Sequence, residues 1–227
     1  MRAFCNRMTA ARAALPRAIC LTAALLIGTC LPALPRAAAE DTAIGTVARL
    51  HPAVRAETLT ERRDLEAEAP VHAGERLRTD PSGRASIRLD DGSVLTLGEA
   101  AVVSLDSLIY DPDTGVGAAT LTVMHGAFRM VSGALGKQGS MRVETPIATI
   151  GIRGTDFWGY QDGRALSVVL LDDGLVSIET AGGSIALDEP GDGIVITDPE
   201  APMPDTPARW DANRIARNIV TVAFPGE

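Results

Sequence analysis

Period-two alternation, broken at short intervals by Asp-Gly turns, constrains this chain more than any other feature. Arg84-Ala85-Ser86-Ile87-Arg88-Leu89-Asp90 puts Ala85, Ile87 and Leu89 on one face and Arg84, Ser86 and Arg88 on the other. Asp91-Gly92 follows. Such a dipeptide predicts a type I′ hairpin, because glycine accepts positive φ without steric cost. The same punctuation recurs at Asp162-Gly163, Asp173-Gly174 and Asp192-Gly193. Asp80-Pro81-Ser82-Gly83 reads as a type I turn.

Between these turns the pattern predicts strands at 76–79, 84–90, 93–97, 101–110, 119–124, 127–131, 141–145, 156–161, 165–171, 175–180, 184–187 and 194–197. Many short strands at turn spacing give an all-β fold, a single sandwich or jelly-roll-like domain with a short C-terminal helix. A β-solenoid is the alternative, and the uneven Asp-Gly spacing speaks against it. The charged stretch 57–69 reads as an exposed strand pair or a loop with a helical turn. Four prolines between Asp198 and Pro207 mark a stiff linker. A helix should follow, with Thr206 as cap, Pro207 at its first position and Trp210, Ile215 and Ile219 on one stripe. It either docks back on the β-domain or reaches a partner.

The N-terminus reads differently. Arg2, Arg7, Arg12 and Arg17 precede an apolar run from Ala18 to Leu34, which ends in Ala37-Ala38-Ala39. This is the layout of a signal peptide cleaved after Ala39, placing the protein in the periplasm or outside the cell. A retained N-terminal membrane anchor is the alternative. So is lipidation at Cys30, although Thr29 is the wrong size before a lipidated cysteine. The expected organisation is therefore a signal peptide at 1–39, a β-domain at 40–198, and a Pro-rich linker with helix at 199–227.

All three cysteines lie in the first segment, so residues 40–227 have no thiol for a disulfide or a metal. The full chain carries a net charge of −8, and removing a segment with five arginines and no acid leaves −13. Such a chain repels nucleic acid and anionic lipid.

The stretch Thr145-Pro146-Ile147-Ala148-Thr149-Ile150-Gly151-Ile152-Arg153-Gly154-Thr155-Asp156-Phe157 resembles the signature of the FecR domain family. Gly74-Glu75-Arg76-Leu77-Arg78-Thr79, Leu89-Asp90-Asp91-Gly92-Ser93, Leu97-Gly98 and Gly126-Ala127-Phe128-Arg129 resemble further family motifs in family order, over roughly Val71 to Leu187. The resemblance implies a periplasmic β-domain of signal-relay proteins. The anti-sigma module and membrane helix of that plan have no counterpart in the motifs found here, so a stand-alone module is expected.

Within the signature, Arg153 is expected in apolar surroundings, needing a partner among Asp156, Glu144 and Asp172. One reading makes Arg153 and Asp156 a tie between strands. The other makes Arg153, Thr155, Asp156 and Trp158 a rim presented to a ligand or partner, near Phe157 and Tyr160. The partner expected is an envelope protein or glycan.

No catalytic constellation stands out. His51, His72 and His125 lack metal-site spacing. No Gly-x-Ser-x-Gly elbow occurs, and Lys137, the sole lysine, is not in a phosphate loop. Asp111-Pro112-Asp113-Thr114-Gly115 starts like a calcium loop but lacks the later ligands, and reads as a plain turn. Arg76, Arg78, Arg84 and Arg88 read as a solvated strand face. Catalytic residues, metal and cofactor are therefore all expected to be none. The function expected is a non-enzymatic binding or sensory module of the envelope. The alternative is a structural component acting through its C-terminal helix, and an enzyme built on paired carboxylates ranks last.

Overall fold

Alternation decides which side of each strand is buried, and the buried sides of two sheets make one core. The computed structural model describes residues 43–226. The segment 1–39, its cleavage point and Cys30 lie outside the described residues. In chain order the strands are β1 Ala43–His51, β2 Val54–Glu57, β3 Arg62–Asp64, β4 Pro70–His72, β5 Arg76–Thr79 and β6 Arg84–Leu89. Next come β7 Val94–Leu97, β8 Val102–Tyr110 and β9 Gly117–Val131, then α1 Leu135–Gln138. After it follow β10 Ser140–Glu144, β11 Thr149–Arg153, β12 Asp156–Asp162, β13 Ala165–Leu170, β14 Leu175–Thr180 and β15 Gly183–Leu187. Last are β16 Asp192–Ile196, β17 Ala208–Arg209 and α2 Ala212–Ile219.

Pairing sorts these strands into two sheets that share β9. The first runs β4-β1-β6-β7-β9-β12-β13-β16-β17 and is antiparallel throughout. The second runs β3-β2-β5-β8-β9-β10-β11-β14-β15, with β9 and β10 its one parallel pair. Beyond β9 the chain lays hairpins on the two sheets in turn: β10–β11, β12–β13, β14–β15, then β16–β17. The architecture is the expected all-β sandwich with a short C-terminal helix.

The inner faces meet in a single cluster. Ile87, Leu95, Phe128, Met130, Phe157 and Val168 come from the first sheet, and Leu77, Val103, Leu121, Val143, Ile150 and Ile178 from the second. Phe128 and Phe157 meet edge to face, with centroids 5.8 Å apart, a favoured aromatic geometry. In β6 the alternation falls as expected, with Ala85, Ile87 and Leu89 buried.

β9 was expected as two strands, 119–124 and 127–131, and is one of fifteen residues. Its first part pairs with β8 and β10, its last with β7 and β12. The strand passes between sheets at Gly126, where φ is +98°. A Cβ there would stand 2.6 Å from the Ala101 Cα. Only glycine fits both the torsion and the contact.

The Asp91-Gly92 hairpin is present, but its turn is not type I′. The Gly92 N–H bonds the Leu89 carbonyl at 2.9 Å, so Asp90 and Asp91 are the central residues. Only Gly92 has positive φ. The reason lies in the Asp91 side chain, which is buried and committed elsewhere. It accepts from the Ser93 N–H at 3.0 Å, the Ser93 hydroxyl at 2.7 Å and the Leu135 N–H at 3.2 Å. Ser93 Oγ in turn accepts from the Gly133 N–H at 2.8 Å. The turn thus anchors the loop that carries the chain from β9 back to β10. Asp192-Gly193, expected as a turn, lies within β16 instead. The stretch 57–69 contains the strand β3, paired with β2 across a turn held by Thr58. Among the described residues no helix is long and apolar enough to cross a membrane.

Replacing Asp91 by Ala strands three buried donors and should cost about 2–3 kcal/mol in denaturant unfolding. Amide exchange at Leu135 should accelerate beyond the global change.

Candidate functional site

The outer face of the first sheet carries Trp158 and Tyr160, and the C-terminal segment covers part of it. Along β12 the residues alternate: Phe157, Gly159 and Gln161 point to the core, Trp158 and Tyr160 outward. Across the sheet Trp158 faces Arg129 on β9 and Val169 on β13. The covering segment forms a clasp. Its prolines do not make a free linker: the Gly182 N–H bonds the Pro199 carbonyl at 2.8 Å, and Met203 packs on the core.

Trp210 comes next. It is buried, with its ring directly over Gly193, where a Cβ would stand 2.5 Å from the indole. The Arg214 guanidinium lies 3.6 Å from the Trp210 ring centroid, a close cation–π contact. Helix α2 starts later than expected. Asp211, not Thr206, is its cap and accepts the Arg214 N–H at 3.0 Å. Ala208 and Arg209, expected in the helix, pair with β16. The physical reason is Arg209, whose guanidinium reaches the buried Asp192 carboxylate at 3.0 Å.

After α2 the chain returns to the sheet. The Thr221 carbonyl approaches Gly98 so closely that a Cβ would be 2.5 Å away. The Thr221 hydroxyl accepts the Trp158 Nε1–H at 3.0 Å. Arg84 Nε bonds the Ala223 carbonyl at 3.2 Å, and Arg49 lies over the Phe224 ring at 4.2 Å. Ala127, Trp158, Val169, Trp210 and Val222 form a second, smaller core under this clasp. Burying two indoles withdraws about 150–250 Å² each from water.

Beside the clasp lies a cleft of roughly 520 Å³, bounded by Pro81, Glu99, Ala100, His125, Ala127, Trp158, Tyr160, Asn218 and Thr221. Tyr160 is 36% exposed and stands nearly parallel to Trp158, with 7° between planes and 6.3 Å between centroids. Ala100 in the cleft wall has φ +49°, a left-handed torsion that costs a non-glycine residue energy. It is held there by its N–H on the Asp80 carbonyl at 3.0 Å. Thr79 Oγ1 locks the same turn, donating to the Gly98 carbonyl and accepting the Ala101 N–H, both at 2.7 Å.

The four residues singled out in the signature fall in different places. Arg153 ends β11 and is exposed, because Ile150 and Ile152 take the inward side and β11's outer face is bare. It has no side-chain ion pair among the described residues, so the expected apolar setting and the tie to Asp156 are corrected. Asp156 pairs with Arg129, at 2.9 Å to Nε and 2.5 Å to Nη2. The hydrogen bond to Asp156 raises the Arg129 guanidinium above its ordinary pKa, against the opposing effect of burial. Thr155 is buried. Its hydroxyl donates to the Asp172 carbonyl at 2.9 Å and its N–H to Ser132 Oγ at 2.8 Å. Trp158 is buried under the clasp. Only Asp156 and Trp158 share a face.

Elsewhere, Glu75 is buried and takes a bidentate contact from Arg63, at 3.0 and 2.9 Å to Oε1. His72 Nδ1 is buried without a hydrogen bond and lies 3.6 Å from Glu75 Oε1. The Asp111 carboxylate closes its own turn, on Thr114 Oγ1 at 2.8 Å and the Asp113 N–H at 2.9 Å. Those bonds, the Thr114 one foremost, lower its pKa. Among the described residues no group of three or more His, Cys, Asp or Glu is placed to hold a metal.

Residues 75–177 match the family described as FecR protein. This chain carries a FecR domain. The FecR domain thus spans β5 to β14 and contains the Asp91–Ser93 hub, Gly98, Gly126, and both members of the Arg129–Asp156 pair. The clasp lies beyond it. No curated protein matches the chain. Two crystal structures of a proposed anti-sigma factor from Parabacteroides distasonis ATCC 8503, at 2.50 and 1.65 Å, are similar at 15% identity. Their TM-scores are 0.49 and 0.48, and the alignment covers 62% of this chain and 62% of theirs.

Sequence reasoning placed Trp158 and Tyr160 at one rim but missed Glu99, His125 and Asn218, which come from the turn after β7, from β9 and from α2. The one local signal was the Leu97-Gly98 motif, where the end of β7 admits the clasp.

Replacing Gly193 by Ala should displace the Trp210 ring and destabilise by about 1–3 kcal/mol. Limited proteolysis should then cut between Asp198 and Trp210 well before the β-domain. Asp211 gives a pH test. Its bond from the Arg214 N–H lowers its pKa below 3.8. The cap is therefore intact above pH 3.8 and fails as pH falls through the depressed value. An NMR titration of the Asp211 carboxyl should show the low midpoint, with α2 amide shifts following it.

Proposed function

We propose that this protein is a non-enzymatic binding and sensory module of the cell envelope, exported by the segment 1–39 and working in the periplasm or outside the cell. Its partner is an envelope protein or glycan. The observation that carries the reading is the cleft beside Tyr160. It is the meeting point of the FecR domain and the clasp, and Trp158, the central aromatic of the second core, backs it. A ligand there touches both parts at once. The net charge of −8 supports the exclusion of nucleic acid.

In this reading the signature residues divide. Arg153 is free to meet a partner at the exposed end of β11. Asp156, through Arg129, and Thr155, through Asp172 and Ser132, position the strand that presents Trp158 and Tyr160. The clasp's contacts with its own sheet weigh against the alternative in which the C-terminal helix is an arm for assembly.

The test is capture from an envelope extract with the full-length protein, a Tyr160→Ala variant and an Arg153→Ala variant. Both side chains are exposed enough that the fold should survive, which circular dichroism checks. A partner lost with Tyr160→Ala places recognition at the cleft. A partner lost only with Arg153→Ala moves it to the β11 end. A partner retained by both and lost on removing residues after Asp198 returns the function to the helix.

A further inference from the structure

We infer that the Tyr160 cleft takes a neutral oligosaccharide, the sugar's C–H face lying on the Tyr160 ring. This rests on the binding-module reading and names the ligand class of the same site.

Three observations lead there. First, the chain is poor in aromatics, with two Trp and two Tyr, yet one of each lines this cleft. Trp158 is fixed by its bond to Thr221 and backs Tyr160 in near-parallel array, so the half-exposed ring is a rigid platform. An amphipathic ring of this kind binds best a ligand with one apolar face and polar edges.

Second, the polar groups around the platform suit hydroxyls. The His125 imidazole, the Asn218 carboxamide and the Tyr160 hydroxyl make no hydrogen bond among the described residues, and Glu99 adds a carboxylate. They form a small set of donors and acceptors around an apolar floor, the usual build of a small-ligand site. The volume, roughly 520 Å³, lies inside the range of about 300–1,000 Å³ for such sites.

Third, the charge selects against anions. The lining holds no arginine or lysine. Arg84, the cation paired with the lining's Glu99 at 3.2 Å, is also engaged by the Gly83 carbonyl at 3.0 Å and the Ala223 carbonyl at 3.2 Å. A phosphate, a nucleotide or a uronic acid polymer would bring negative charge to a carboxylate in an acidic protein. A flat apolar-and-hydroxyl ligand without charge meets no such penalty. The wall beside it is held in a costly torsion at Ala100, and strain of this kind clusters at ligand sites.

The experiment is titration calorimetry of the full-length protein with cellotetraose, chitotetraose and, as the anionic control, tetragalacturonate, with Tyr160→Ala and Tyr160→Phe alongside. Saturable binding of a neutral tetrasaccharide is expected, at least about ten-fold tighter than the anionic one. Tyr160→Ala should weaken it about ten-fold or more, and Tyr160→Phe, which keeps the platform, within about three-fold. Equal melting temperatures separate lost recognition from lost fold. Absence of saturable binding by either neutral sugar overturns the inference, as does binding indifferent to Tyr160→Ala. If an envelope protein is captured in a Tyr160-dependent way while no sugar binds, the saccharide is wrong and the binding module stands. If neither occurs, both fall.

Discussion

The backbone at Gly126 is the constraint on which the structure depends. One strand must serve two sheets, pairing with β8 and β10 before that residue and with β7 and β12 after it. The crossing brings Gly126 against Ala101, with no room for a Cβ. Because β9 belongs to both sheets, register in one fixes register in the other. A one-residue slip would turn Phe128 and Met130 outward and Ala127 and Arg129 into the core. The buried Asp91–Ser93 hub then secures the loop that follows β9, so the turn in one sheet and the crossover to the other are set by the same few hydrogen bonds.

Two unlike outer faces result. The second sheet shows solvent a polar surface: Ser104, Thr122, Glu144, Thr149, Glu179 and Ser184 stand in register across six strands. The first sheet puts Ala127, Trp158 and Val169 outward and needs a cover. The C-terminal segment supplies it, entering where Gly193 and Gly98 leave space. Coverage stops short of Tyr160, which is why the cleft lies there and why its walls come from both the domain and its extension.

Where neighbours in sequence decide the structure, the sequence was readable. Strands at 76–79 and 175–180 stand as alternation predicted them. The FecR motifs were legible as a resemblance, but their roles were not. Arg129–Asp156 joins residues far apart in sequence, and nothing local distinguishes Arg129 from Arg153 as the partner. Glycine misled in two ways. Gly126 reads as a strand break but is a crossing within a strand, and Gly193 reads as a turn but is a seat for an indole brought from beyond four prolines. Thr206-Pro207 is a sound helix start on local grounds. The ion pair of Arg209 with buried Asp192 prevails over it and holds the chain extended until Asp211. The cleft was legible only as Trp158 and Tyr160, since its other groups arrive by tertiary folding.

The lengths of the outermost strands carry a consequence for how this protein behaves among its own copies. The first sheet ends in β4 and β17, of three and two residues, and one side of the second ends in β3, of three. Such short borders give an approaching strand almost nothing to pair with, which guards a β-rich protein against edge-to-edge growth. The fourth border, β15, is five residues long. The Pro199–Met203 stretch meets it at Gly182 and Gly183. Of the four borders β15 thus offers an approaching strand the longest run, Ser184–Leu187, and the proline-rich turn stands guard at its near end.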